Sequence, residues 1–117
     1  MPVSPTSTQM YSMFRLCRQD RWRSILNTIL TNPEIALTPM IMDNHIATTI
    51  VHQAITSKSH TAIRAKVIAT ILEQTPTAAS IRNGYGSLPL HVIAQRNTKM
   101  DSQTKERLIL MLVRAHP

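Results

Sequence analysis

The chain holds a single cysteine, two glycines, four aromatic residues and six acids among its 117 residues. Each shortage excludes something. With Cys17 alone, neither an intramolecular disulfide nor a cysteine-based zinc site can form, and a reducing compartment fits. Two glycines and so few rings argue against a β-sandwich or barrel, which needs glycine turns and aromatic strands. Six acids leave little from which to assemble a charge-paired active site. No apolar run reaches the roughly 18 residues a membrane span needs, and no apolar segment at the N-terminus reads as a secretory signal. The expectation is an intracellular chain, in cytoplasm or nucleus, that uses no membrane. The first 19 residues carry Ser, Thr and Arg but no acid, a composition similar to an organellar transit peptide.

What is present points to helix. Apolar residues make up 43% of the chain, drawn mostly from Ile, Leu, Met, Ala and Val, which with so little glycine favours an all-α fold. The length suits one domain with one modest core. The net charge of +7 suggests acidic partners such as nucleic acid or an acidic protein face. Arg15, Arg18, Arg21 and Arg23 form the densest basic run, broken by Asp20, while the remaining Lys and Arg are scattered. A solvated basic surface accounts for that distribution better than a dedicated nucleic-acid site does.

Along the chain, residues 1–9 ("MPVSPTSTQ") read as a disordered tail. Met10 to Cys17 reads as a short helix. Trp22, Ile25, Leu26, Ile29 and Leu30 then fall at i, i+3, i+4, i+7 and i+8, one face of a helix that Asn32–Pro33 stops. Residues 47–55 read as another short helix and 61–74 as a longer one, stopped at Thr75–Pro76. Residues 88–95 and 102–115 repeat the pattern, with Asp101 or Ser102 as N-cap and "RLILMLV" apolar on every side.

Short helix, long helix and proline stop therefore recur three times. The prolines at 33, 76 and 117 are 43 and 41 residues apart. "TTIVHQAI" (48–55) aligns with "SLPLHVIA" (87–94), placing His52 over His91 at a spacing of 39, and Phe14 lies 38 residues before His52. Several features share a period near 40, which marks a repeat architecture.

"NGYGSLPLHVIA" (83–94) carries a turn Asn, Gly84, Gly86 and then L-P-L-H. These residues resemble the ankyrin repeat, a turn followed by two antiparallel helices with T-P-L-H-x-A opening the first. Leu88 replaces the Thr and Ile93 the Ala of that signature. "NHIATTIVHQAI" (44–55) keeps Thr49, His52 and Ala54 but has Ala47 for Gly and Ile50 for Pro. The resemblance implies an ankyrin-like α-solenoid of stacked helix-turn-helix repeats, with units near 10–43, 44–82 and 83–117, longer than the consensus. A generic armadillo or HEAT-type solenoid shares the period but does not explain Gly84, Gly86 and L-P-L-H together.

The resemblance assigns Thr49, His52, Ala54, Gly86, Pro89, Leu90 and His91 to the repeat motif. It implies that His52 and His91 are buried and hydrogen-bond around the turn and to the neighbouring repeat. Pro89 suits the first turn of a helix. Neither His has an acid close in sequence except Asp43, and His45, His60 and His116 lack metal-ligand spacing. Cys17, beside Leu16, reads as a small core residue, and Trp22 as core. The expectation is thus a non-catalytic protein-interaction scaffold without cofactor or metal. Its exposed partner-binding positions would be His45, Ile46, Thr48, Thr56 and Ser57 in the second unit. In the third they would be Gly84, Tyr85, Ser87, Gln95 and Arg96, with Tyr85 foremost. Self-association through 105–115 is expected from its uncovered apolar helix. The alternative function is electrostatic nucleic-acid binding.

Overall fold

A computed structural model describes residues 5–41, 47–57, 61–95 and 100–116. Helix α1 (Ser7–Arg18) starts earlier than the apolar pattern suggests. Gln9 N–H donates to the Thr6 hydroxyl at 3.1 Å, and Thr6 N–H donates to the Gln9 side-chain oxygen at 2.8 Å. This reciprocal cap satisfies two amides that would otherwise lack partners, so residues 7–9 are helical rather than part of a tail. Asp20, at φ 56°, ends the helix in the left-handed region, where a short polar side chain is tolerated.

Helix α2 (Trp22–Thr31) buries Trp22, Ile25, Leu26 and Ile29. Leu30, the last member of the predicted face, is exposed. Pro33 then opens a 3₁₀ helix, Pro33–Leu37, that buries Ile35 and Ala36. The corresponding stop in the second unit opens another, Pro76–Ser80, that buries Ala78 and Ala79. In each, the alanine three residues after the proline is nearly solvent-free, and the two 3₁₀ helices touch. Fixed φ and a missing N–H suit proline to the first position of such a turn.

Strands β1 (Met40–Ile41) and β2 (Ala47–Thr48) pair antiparallel, Met40 opposite Thr48. The helix expected from residue 47 therefore begins later. Helix α3 (Ile50–Thr56) follows Thr49, whose hydroxyl accepts from the His52 N–H as N-cap. Helix α4 (Thr61–Gln74) and helix α6 (Ser102–Ala115) have the expected bounds, and helix α5 (Pro89–Ala94) lies within its own. Asp101 caps α6 by accepting from the Thr104 N–H at 3.1 Å.

The chain is mostly helical. Each short helix packs on the long helix after it, α1 on α2, α3 on α4 and α5 on α6. The short helices also touch in the order α1, α3, α5, and the long ones in the order α2, α4, α6. One core runs through all three pairs, from Met10, Phe14 and Cys17 through Ile50, Ile55, Val67 and Ile71 to Ile93, Leu108 and Leu112. The apolar stretch 108–113 of helix α6 is not uniformly covered. Leu108 and Leu112 are buried, while Leu110 and Val113 are exposed. No described helix is long and apolar enough to cross a membrane.

Arg64, which no pattern in the sequence singled out, is fully buried. Its guanidinium donates to the carbonyl of Ala54 at 2.8 Å and to that of Ile55 at 3.3 Å, at the C-terminal end of α3. A seven-residue helix leaves most of its carbonyls without an internal partner. A cation there completes their hydrogen bonding and lies at the negative end of the helix dipole. Lys105 repeats the arrangement, donating to the Gln95 carbonyl at the end of α5 at 3.1 Å. Arg64 and Lys105 each stand fourth in their long helix. Arg64→Met removes a buried charge-assisted donor and is expected to destabilise by about 2–3 kcal/mol. Lys105→Met, at a more exposed site, is expected to cost about 0.5 kcal/mol or less. Urea unfolding followed by circular dichroism compares the two.

Candidate functional site

The residues singled out by the repeat motif meet where the second helix pair joins the turn of the third. Asn83 organises that turn. Its side-chain oxygen accepts from the Tyr85 N–H at 2.9 Å and the Ser87 N–H at 3.0 Å. Its own N–H donates to the Ser87 carbonyl and its carbonyl accepts from the Gly86 N–H, both at 2.9 Å. Gly86, at φ +80°, supplies the left-handed residue the turn requires. Arg82 donates to the Gly86 carbonyl at 2.6 Å. Gly84 N–H donates to the Ala47 carbonyl at 2.8 Å, tying the turn to β2.

His52 makes the second tie. It is 2% exposed, with Nδ1 at 2.7 Å from the Thr49 hydroxyl and Nε2 at 2.9 Å from the Ser87 carbonyl. A carbonyl can only accept, so Nε2 carries the proton and Nδ1 accepts from Thr49. Both ring nitrogens are thereby satisfied in the neutral form. Burial pushes the imidazole pKa down, a shift that the Ser87 hydrogen bond opposes.

His91 differs from the expectation of burial, because it is exposed. Its Nδ1 accepts from the Leu88 N–H at 3.2 Å. Leu88, in the place of Thr49, has no hydroxyl to bring to the ring, so the His52 arrangement is only half repeated. Pro89 opens α5 as expected and is buried, Ala54 is fully buried, and Leu90 is partly buried against the core.

Thr48 is 5% exposed and so does not belong to an exposed binding set. It sits in β2, and its hydroxyl accepts from the Gln53 side chain at 3.2 Å. Ser57 is half-buried and donates to Asp20 at 2.8 Å, and Thr56 donates to the His52 carbonyl at 3.1 Å. Ser87 is half-buried and offers its carbonyl to His52. Thr56, Gly84, Tyr85 and Gln95 are exposed, Tyr85 by 71%. His45, Ile46 and Arg96 lie outside the described residues, as does His60.

Cys17 is buried, and desolvation with the nearby Asp20 charge pushes its thiol up to about 12. The sulfur therefore stays protonated and a poor nucleophile at neutral pH. Trp22 is also buried and donates to Asp20 at 3.4 Å. Among the described residues, no group of three His, Cys, Asp or Glu side chains could hold a metal ion. Comparison of the chain with protein-family models, curated proteins and solved structures finds no match.

The neutral His52 gives the protein an acid sensitivity. Its pKa is lower folded than unfolded, so the unfolded chain binds the extra proton. Its contribution is fully present above the unfolded value of about 6.5 and is lost as pH falls below it, by at most about 1.4 kcal/mol per pH unit. His52→Gln is expected to lower stability at pH 7.5 and to remove this part of the pH dependence. Urea unfolding at pH 7.5 and 5.5 measures both effects.

Proposed function

We propose that the chain is a divergent ankyrin-like stack, with units near 10–43, 44–82 and 83–117, acting as a non-catalytic protein–protein interaction scaffold. The observation that carries this reading is the bridge from Thr49 through His52 to the Ser87 carbonyl, 35 residues along the chain. A T-x-x-H motif that caps its own helix and then bonds the next turn is what the ankyrin resemblance implies for this position. The two rows of helices and the recurring 3₁₀ segments accord with a repeat in which each unit buries its face on the next.

A stack of this kind offers an extended surface, and the turn tip is its most exposed aromatic point. Tyr85 projects from a turn braced by Asn83, Arg82 and β2. A rigid base and a large amphipathic ring suit an interface anchor. Among the described residues, Thr56, Gly84 and Gln95 are the other exposed positions of the set. The non-catalytic reading draws on His52, whose nitrogens are both committed to structure, and on Cys17, whose thiol is buried and protonated.

Residues 105–115 are the second face of the scaffold, for another copy of the chain, through the exposed Leu110 and Val113. Light scattering should detect a dimer that Val113→Glu dissolves.

The turn face is tested by placing a photo-crosslinking residue at position 85 and, as a control, at the exposed Asn27. A discrete protein adduct at 85 and none at 27 is expected. Tyr85→Ala should then weaken the captured partner by roughly tenfold or more. Equal labelling at both positions, or no adduct, would overturn the assignment.

A further inference from the structure

Gly84 is the one glycine that follows an asparagine, and Asn83–Gly84 opens the turn before α5. An asparagine beside glycine has a nucleophile within reach of its own side-chain amide. The next backbone nitrogen can attack Cγ, and glycine has no Cβ to crowd that approach. The other asparagines precede Thr28, Pro33, His45 and Thr98. Proline has no amide proton to give up, and the other three following residues carry a Cβ.

In the folded chain both reacting groups are tied down. The Gly84 N–H is committed to the Ala47 carbonyl at 2.8 Å. The Asn83 side-chain oxygen accepts from the Tyr85 and Ser87 amides at 2.9 and 3.0 Å, which fixes the torsions that would swing Cγ onto Gly84. The turn itself is lightly covered. Gly84, Tyr85 and Gly86 are exposed, and Asn83 is half-buried. A segment secured by water-accessible hydrogen bonds opens at a lower free energy than the whole chain.

We propose that Asn83 is a latent deamidation site, closed by the folded turn and opened when Gly84 leaves Ala47. The released Gly84 nitrogen bonds to Asn83 Cγ as the Cγ–Nδ2 bond breaks, and the Gly84 amide proton leaves with Nδ2 as ammonia. Water then opens the cyclic imide, with no oxidation or reduction. Opening at Cγ leaves aspartate in the ordinary chain. Opening at the α-carbonyl leaves isoaspartate, whose main chain runs through Cβ and Cγ and is one carbon longer. The two products differ in consequence. Aspartate keeps an acceptor for the Tyr85 and Ser87 amides. Isoaspartate displaces Gly84 from Ala47 and removes the carbonyl that accepts from Gly86, so it unfastens the turn from β2 and from the His52 joint.

Mass spectrometry on the full chain tests the assignment. The chain is aged at neutral pH in heavy-oxygen water, native or unfolded in urea, and then digested in ordinary water. Unfolded, it should take up heavy oxygen at Asn83 faster than at any other asparagine and yield both products. In the native chain the rate at Asn83 should be lower by roughly tenfold or more. Hydrogen exchange at the Gly84 amide should be slowed by the same factor to within about threefold, because one opening frees the nitrogen for both reactions. Gly84→Ala should slow the unfolded reaction by about tenfold, since a methyl group crowds the attacking nitrogen. Gly84 does not take the left-handed conformation that Gly86 does, so this change carries no such backbone strain. The isolated isoaspartyl chain should unfold at lower urea than Asn83→Asp. Equal native and unfolded rates, aspartate as the sole product, or an unslowed Gly84→Ala chain would each overturn the proposal. So would a freely exchanging Gly84 amide in a chain that resists deamidation, or an isoaspartyl chain as stable as Asn83→Asp. No partner enters the experiment, so its outcome is independent of the Tyr85 crosslink.

Discussion

The structure depends on how helices of six and seven residues are kept helical. Helices α3 and α5 are too short to sustain themselves in water, where nucleation outweighs the few internal hydrogen bonds gained. Each is capped at its start by a local side chain and finished at its end by a cation of the following long helix. Thr49 caps the start of α3, and Arg64 reaches from α4 to its final carbonyls. At α5, the His91 ring takes the Leu88 N–H and Lys105 takes the Gln95 carbonyl. The long helices therefore do more than cover the short ones, because they supply the donors that finish them.

The same economy explains which polar groups are buried. Among the described residues, Thr48, Thr49, His52 and Arg64 are the buried polar ones, and each has hydrogen-bond partners. Among the described residues, no buried side-chain nitrogen or oxygen lacks one. His52 serves as a joint rather than a reagent. One side of its ring closes the N-cap of its own helix and the other side fastens the next turn. A neutral imidazole can do both at once because it carries one donor and one acceptor. The braced turn then holds Tyr85 outward, while α1 stacks Tyr11, Phe14 and Arg18 along one side.

Much of the helical layout was legible. The bounds of α4 and α6 follow from apolar spacing and proline stops, and the burial of Trp22, Ile25, Leu26 and Ile29 from their helical period. The 43-residue interval between Pro33 and Pro76 reappears as two equivalent 3₁₀ helices, although their conformation was not foreseen. Boundaries set by side-chain hydrogen bonds were harder to read. Thr6 and Gln9 extend α1 backward through a cap that apolar periodicity does not register. Ala47 and Thr48 have residue types compatible with helix but pair instead with Met40 and Ile41. The candidate surface was legible in part. Tyr85, Gly84 and Gln95 are exposed, whereas Thr48 is not, because strand pairing turns it inward.

By itself the sequence determined a helical chain with a period near 40, a Thr–His pair at helical spacing and a basic surface. These are consequences of composition, spacing and local hydrogen bonding, which act within a few residues. Only the tertiary structure decided that Arg64 is buried while Lys66 is exposed, and that His52 is enclosed while His91 meets solvent. Nor could Phe14 be placed between Tyr11 and Arg18 without its backbone geometry. The reason is physical. A cation is buried only where another segment brings carbonyls to it, and a histidine is enclosed only where the next turn closes over it. Both conditions join residues far apart in the chain, and no local pattern encodes them.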